Sequence, residues 1–129
     1  GRLAVYRSQS PRGGPPWAAA SDCLGEIRVG GYAAPSFVRR AAAVWLFVGQ
    51  QDGRVRLFVA PAGEAAAGGF KEAVMPDHVR VKGFASPWAE TGAGGEVDLY
   101  VGDYDGNLRH FQHRIPAPEM RRPPDAHVE

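Results

Sequence analysis

The chain contains VGQQDGRVRLF at residues 48–58 and VGDYDGNLRHF at residues 101–111, two versions of one eleven-residue segment. In both, a hydrophobic run leads to Asp-Gly and a second hydrophobic run follows. This is the strongest short-range signal of a β-hairpin, because Asp and Gly tolerate the positive φ angles of its turn. The sequence therefore predicts structural hairpin turns at Asp52-Gly53 and at Asp105-Gly106.

The two segments belong to an internal repeat. The chain opens with Gly1-Arg2-Leu3, and the glycines Gly1, Gly53 and Gly106 lie 52 and 53 residues apart. The residues that follow them also match: Leu3, Val55 and Leu108, then Tyr6, Phe58 and Phe111. A fixed period of this length is typical of repeat architectures. We expect a repeat region over residues 1–112, with units at 1–52 and 53–105 and a partial unit at 106–112.

Each unit is predicted to be made of short strands. Residues alternate in character after the turn, so Val55 and Leu57 are expected on one face of a strand and Phe58 on the other. Further strands are expected at 27–29 and 78–82, and short ones at 35–38 and 86–89. No segment has a helical period. The sequence thus predicts an all-β fold with four short strands per unit, the content of one β-propeller blade.

Composition agrees with many short elements and excludes two classes of partner. The 129 residues include 17 Gly and 11 Pro, and 44% are hydrophobic. The net charge is +1 and no run of Lys or Arg exceeds a pair, so nucleic-acid binding is not expected. The longest apolar run, residues 41–48, is too short to span a bilayer.

The repeat resembles the FG-GAP or VCBS-type repeat of β-propellers. The glycine–aromatic–Ala–Pro opening of that family is matched by GYAAPSFV at 31–38 and GFASPW at 83–88. The apolar strand ending in Val-Gly is matched by WLFVG at 45–49 and VDLYVG at 97–102, and each leads into an Asp-Gly turn. The resemblance implies propeller-like blades. The alternative is an unrelated all-β domain with a duplicated hairpin.

The resemblance also implies calcium loops, but the residues for them are largely missing. The corresponding stretch of the first unit, residues 38–46, has no carboxylate, and the stretch at 90–99 keeps Glu90 and Asp98 only at its ends. Because calcium needs several converging oxygen ligands, Glu90 and Asp98 are weak candidates and no cofactor is expected.

No catalytic constellation is recognisable, so the chain is not expected to be an enzyme. His110 and His113 lie three residues apart on a predicted strand and would point to opposite faces. Catalysis would require a pocket that brings His110 or His78 beside an acid. The single cysteine, Cys23, is expected to be a small buried hydrophobic residue.

Repeat units bury their hydrophobic faces only by packing against neighbours, and association is the expected function. We therefore expect a non-enzymatic protein–protein interaction module, an accessory or scaffolding subunit that packs against a protein partner or copies of itself. Residues 113–129 include four prolines and are expected to form an extended tail.

The alternative is a secreted or surface binding or adhesion domain that recognises a carbohydrate or protein ligand, with or without calcium. The family resemblance implies an extracellular, periplasmic or organelle-lumen location. The start at Gly1 agrees with removal of a leader.

Overall fold

A computed structural model describes residues 1–20, 24, 27–40, 42–65, 68–94 and 96–113. Within these ranges, nine β-strands form three antiparallel sheets and no α-helix occurs. The strands are β1 (Tyr6–Ser8), β2 (Trp17–Ala19), β3 (Ala34–Arg40), β4 (Ala43–Gly49), β5 (Val55–Pro61), β6 (Lys71–Ala73), β7 (Ser86–Thr91), β8 (Val97–Gly102) and β9 (Leu108–His113). The predicted all-β character is confirmed.

Each sheet follows chain order. The first sheet is β1-β2, the middle sheet is β3-β4-β5-β6 and the third sheet is β7-β8-β9. The repeat seen in the sequence recurs in the strand pairing, because Tyr6 pairs with Ala19 in the first sheet where Phe58 pairs with Glu72 in the middle one. The first sheet therefore corresponds to the last two strands of the middle sheet, and the third sheet to its first three.

Two strand predictions were wrong. Residues 27–29 and 78–82 do not form strands; each contributes one isolated bridge, Arg2 to Arg28 and Arg54 to Arg80. These segments bend at once into the glycines that precede β3 and β7, which leaves no room for a longer ladder. The fourth strand is instead Lys71–Ala73, a short segment whose pattern gave no strand signal.

The central strands of the middle sheet, β4 and β5, are covered on both faces, which explains their sequence. One hydrophobic cluster joins it to the third sheet through Phe47, Leu57, Leu99 and Phe111, among others. A second cluster lies on its opposite face, where Leu46, Val48 and Phe58 pack with Leu3 and Val5. A strand buried on both faces has no reason to alternate, and β4 accordingly reads AVWLFVG and is buried from Val44 to Gly49.

The middle and third sheets meet along β3 and β7. The Ala89 amide donates to Ser36 Oγ at 3.1 Å, and Thr91 Oγ1 donates to the Arg39 carbonyl at 3.3 Å. Gly49 is required at this junction, since a Cβ there would lie 1.8 Å from the Ala85 carbonyl oxygen. The backbones of the two sheets thus touch directly.

An arginine ties each unit of the repeat to the unit before it. Arg56 Nη1 donates to the Arg28 carbonyl at 2.7 Å, and Arg109 Nη1 donates in the same way to the Arg80 carbonyl at 2.7 Å. Each guanidinium also lies over an aromatic ring two residues on, Phe58 at 5.1 Å and Phe111 at 4.9 Å. The two ties occupy equivalent positions of the repeat.

The aromatic residues that recur in register with the repeat fill the core only in part. Trp45, Phe58 and Phe111 are buried. Other members of this recurring set lie mainly in solvent, namely Tyr6, Trp17, Phe37 and Trp88. Tyr6 and Trp17 of the first sheet and Trp88 of the third sheet lie on faces that no other sheet of the described chain covers.

Candidate interaction surface

The two predicted turns connect β4 to β5 and β8 to β9. In the first, the Gly53 amide donates to the Gln50 carbonyl at 3.1 Å, and Asp52 Oδ1 accepts from the Arg54 amide at 3.0 Å. Gly53 has φ 90°. This left-handed backbone is costly for residues with a Cβ and explains the glycine.

The second turn has a similar backbone conformation, but a different residue supplies the side-chain hydrogen-bond acceptor. Gly106 has φ 84° and its amide donates to the Asp103 carbonyl at 3.2 Å. Asp103 Oδ1, rather than a carboxylate oxygen of Asp105, accepts from the amides of Asp105 and Asn107, each at 3.0 Å. The Asp105 carboxylate is therefore available to Lys82 Nζ, which lies 2.9 Å away.

The turns also differ in what surrounds them. The Gly53 carbonyl accepts from the Val81 amide at 2.9 Å, and a Cβ on Gly53 would lie 1.9 Å from the Val81 carbonyl oxygen. A Cβ on Gly106 would meet nothing within 4 Å. Gly53 is thus clamped by the segment that leads into β7, whereas Gly106 faces open space.

The structure places the two calcium candidates, Glu90 and Asp98, side by side. They are directly paired residues of β7 and β8. Glu90 Oε1 accepts from Trp88 Nε1 at 2.9 Å, and Asp98 Oδ1 lies 3.1 Å from His110 Nε2. Across the described ranges, no group of three or more His, Cys, Asp or Glu side chains is placed to hold a metal ion. The pair supplies too few oxygens for a calcium site of the expected kind.

These residues belong to a larger surface, the outer face of the third sheet. It is defined by Trp88, Glu90, Asp98, Tyr100, Leu108 and His110. Trp88, Tyr100 and His110 form one row across the three strands, since each is paired directly with the next. The Tyr100 and His110 rings are stacked, with centroids 4.4 Å apart and planes inclined by 6°.

The outer face is apolar and exposed at its rim. Trp88 is 63% exposed and Leu108 70%, while Leu99 and Phe111, on the other face of the sheet, are buried against the middle sheet. At such an exposure, the Leu108 side chain gains little free energy from burial of its apolar area. The face combines aromatic rings, one aliphatic side chain and two carboxylates on a rigid three-stranded support.

Sequence reasoning missed this surface as a unit, although the repeat carries a signal for it. Aligning the Asp-Gly turns places Tyr100 at the position of Phe47, Leu108 at that of Val55 and His110 at that of Leu57. Phe47, Val55 and Leu57 are buried between sheets. Asp98 likewise stands where the middle sheet has the buried Trp45. The polar side chains Asp98 and His110 therefore distinguish a face that no sheet of the described chain covers from a face buried between two sheets, while Leu108 stays apolar.

A cleft of about 590 Å³ lies elsewhere, between β5 and the segment after β6. Its lining includes Arg54, Arg56, Glu72, Asp77 and Arg80. Arg56 Nε and Nη2 donate to the two carboxylate oxygens of Glu72 at 2.7 and 2.9 Å. Side-chain hydrogen bonding to Glu72 raises the pKa of Arg56 above its ordinary value. The charges of Arg56 and Glu72 neutralise each other, and the lining contains no histidine, serine, threonine or cysteine.

The remaining predicted residues fall into two groups. His110 is beside an acid, Asp98, but on the outer face and not in a cleft. His78 packs against the Phe111 ring at 6.2 Å. Cys23 and the tail beyond His113, the last residue of β9, lie outside the described residues.

Comparisons with models of protein families, with curated proteins and with solved structures find no match. The resemblance to FG-GAP or VCBS-type repeats is thus carried by the quoted residues alone. Among the described residues, no helix has the length and apolar character needed to cross a membrane.

Proposed function

We propose that the chain is a non-enzymatic protein–protein interaction module that contributes a sheet face to a larger assembly. The observation that carries this proposal is the outer face of the third sheet. Its Leu108 and Trp88 are exposed and its Tyr100 is half-buried, whereas Val55 and Phe47, the equivalents of Leu108 and Tyr100 in the middle sheet, are buried against the third sheet. A partner that covers this face would remove exposed apolar area from water, the main favourable term in protein association.

The architecture within the proposal is a stack of propeller-like blades. Consecutive sheets of this chain pack through one recurring junction, in which the Val29 amide donates to the Gly1 carbonyl and the Val81 amide donates to the Gly53 carbonyl. Units that use the same junction repeatedly form arrays whose end faces recruit a further unit. A blade of a partner protein is the natural cover for the third sheet.

A second candidate function is recognition of a carbohydrate by a secreted or surface domain. The row of Trp88, Tyr100 and His110 favours it, because aromatic rings next to carboxylates offer both an apolar platform and hydrogen-bond acceptors. Calcium is not needed for this mode.

Site-specific photo-cross-linking tests the leading proposal. A photoreactive amino acid replaces Leu108 on the outer face in one variant and the exposed Asp77, which lies away from that face, in a control. We expect the variant at position 108, and not the control, to form one discrete protein adduct in its native extract, identified by mass spectrometry. Equal labelling at both positions, or none at position 108, contradicts the proposal. Binding of glycans on an array, abolished by Trp88→Ala, would favour the second candidate instead.

A further inference from the structure

We infer that the occupant of the outer face of the third sheet is a second copy of this chain, docked through the outer face of its first sheet. The inference rests on the proposed function and names the partner for the same surface. It depends on three features: equivalent positions that are buried inside the chain and exposed at its two ends, a recurring junction between units, and opposite charge at those ends.

The outer face of the first sheet is defined by Tyr6, Ser8, Trp17 and Ala19. Val5 packs inward against the middle sheet, so Tyr6, its neighbour on the strand, points away from it. Trp17 pairs with Ser8 and lies on the same face as Tyr6. Tyr6 is 62% exposed and Trp17 59%.

The repeat shows what this aromatic position does when it is covered. Tyr6 is equivalent to Phe58 and to Phe111, which are only 5% and 7% exposed. Each of those two side chains packs in a hydrophobic cluster at a junction between sheets, Phe111 in the cluster of the middle and third sheets and Phe58 in the one that includes Leu3 and Val5. Tyr6 at one end and Leu108 at the other are thus the two halves of a junction that the chain makes internally.

Charge complements shape at the two ends. Residues 1–20 contain Arg2, Arg7 and Arg12 and no acidic residue, and all three arginines are exposed. The outer face of the third sheet carries Glu90 and Asp98, and Asp103 and Asp105 stand at its turn. Opposite net charges at the two ends favour head-to-tail approach and oppose contact between two like ends.

A contact between two different faces of one chain is heterologous. Successive copies then add in one direction and either close into a ring or extend as a filament. The wild-type chain is therefore expected to form species larger than its 13.8 kDa monomer, with a mass that rises with concentration and falls with added salt.

Two blocking variants test the contact by sedimentation velocity. Tyr6→Asp blocks the outer face of the first sheet and leaves the third sheet intact; Leu108→Asp blocks the third sheet and leaves the first intact. Each variant alone is expected to be monomeric, while an equimolar mixture is expected to form a species of twice the monomer mass. Both positions are exposed, and circular dichroism verifies that the variants are folded. Val74→Asp, at an exposed position outside both faces, is the matched control and is expected to assemble like the wild type.

A wild-type chain that stays monomeric at all concentrations, or a mixture that stays monomeric, would overturn the inference. Self-association that survives in Tyr6→Asp alone would also overturn it, because that variant can associate only through like faces. These outcomes are separable from failure of the proposed function: a monomeric chain that still cross-links from position 108 to a different protein keeps the proposed function and loses only the second copy.

Discussion

The middle and third sheets contain two versions of one eleven-residue hairpin segment and differ in what covers them. The middle sheet is enclosed on both faces, and the third is enclosed on one. At equivalent positions, the middle sheet has Trp45, Phe47 and Leu57, and the third sheet has Asp98, Tyr100 and His110. The backbone of the unit tolerates both sets, so the identity of the facing surface, and not the strand itself, selects the side chains.

The largest difference is expected when an aromatic ring is removed from each sheet. Phe47 is fully buried, and Phe47→Ala is expected to lower the free energy of unfolding by about 3–5 kcal/mol, through lost burial and the cavity left behind. Tyr100→Ala removes mainly the stacking on His110 and is expected to cost about 0.5–1.5 kcal/mol. Urea denaturation of the two variants measures both. Equal losses would show that the outer face of the third sheet is covered in solution.

The two turn glycines provide the next comparison. Gly53→Ala forces a Cβ into a left-handed residue and against the Val81 carbonyl, and is expected to cost about 3 kcal/mol. Gly106→Ala meets only the conformational penalty and is expected to cost about 1 kcal/mol. Thermal unfolding of both variants checks the ranking. A Gly106 variant as damaging as the Gly53 variant would contradict the open surroundings of the second turn.

A smaller effect is expected from the ion pair between β5 and β6. Glu72→Gln weakens the two-pronged contact with Arg56 and is expected to cost about 1–2 kcal/mol. Lys82→Gln, which removes the exposed pair with Asp105, is expected to cost at most about 0.5 kcal/mol. The raised pKa of Arg56 means that its contribution is present below the ordinary arginine pKa and is lost only as pH rises beyond it. The Glu72 variant should therefore show an unchanged deficit throughout the neutral range in chemical denaturation.

The smallest effect is expected from calcium. Glu90 and Asp98 supply two carboxylates already hydrogen-bonded to Trp88 and His110. Adding calcium or a chelator is therefore expected to leave the melting temperature unchanged in differential scanning calorimetry. A calcium-dependent rise that disappears in Asp98→Asn would assign the pair a metal-binding role and separate the two sheets chemically as well as by packing.

Much of the strand arrangement could be predicted because its sequence signals lie in adjacent residues. The Asp-Gly pairs and the flanking apolar runs predicted the pairing of β4 with β5 and of β8 with β9 from adjacent residues alone. The strands Trp17–Ala19 and Lys71–Ala73 could not be found in this way, because three residues are too few to show a period of two. Each is held in place by pairing with a neighbouring strand, and this pairing cannot be inferred from the three residues themselves.

The candidate surface was harder to predict for the same reason. Aromatic residues that recur in register with a repeat are typical of a buried core, and Trp45, Phe58 and Phe111 are indeed buried. Nothing in the immediate surroundings of Tyr6 or Trp88 shows that the same register leaves them in solvent. Exposure depends on whether a further sheet follows in space, and only the comparison of equivalent positions across sheets makes it visible.

The arginine ties have a consequence for how this sequence can diverge. Arg56 and Arg109 donate to the main-chain oxygens of residues 28 and 80, and a main-chain oxygen is present whatever side chain stands there. Donor and acceptor lie in consecutive units, so each added copy of the unit brings a donor for the copy before it and an acceptor for the copy after it. Mutational drift at 28 and 80 leaves the acceptor untouched, whereas drift at 56 or 109 removes the donor. Of the two partners in each tie, only the arginine is under pressure to keep its identity.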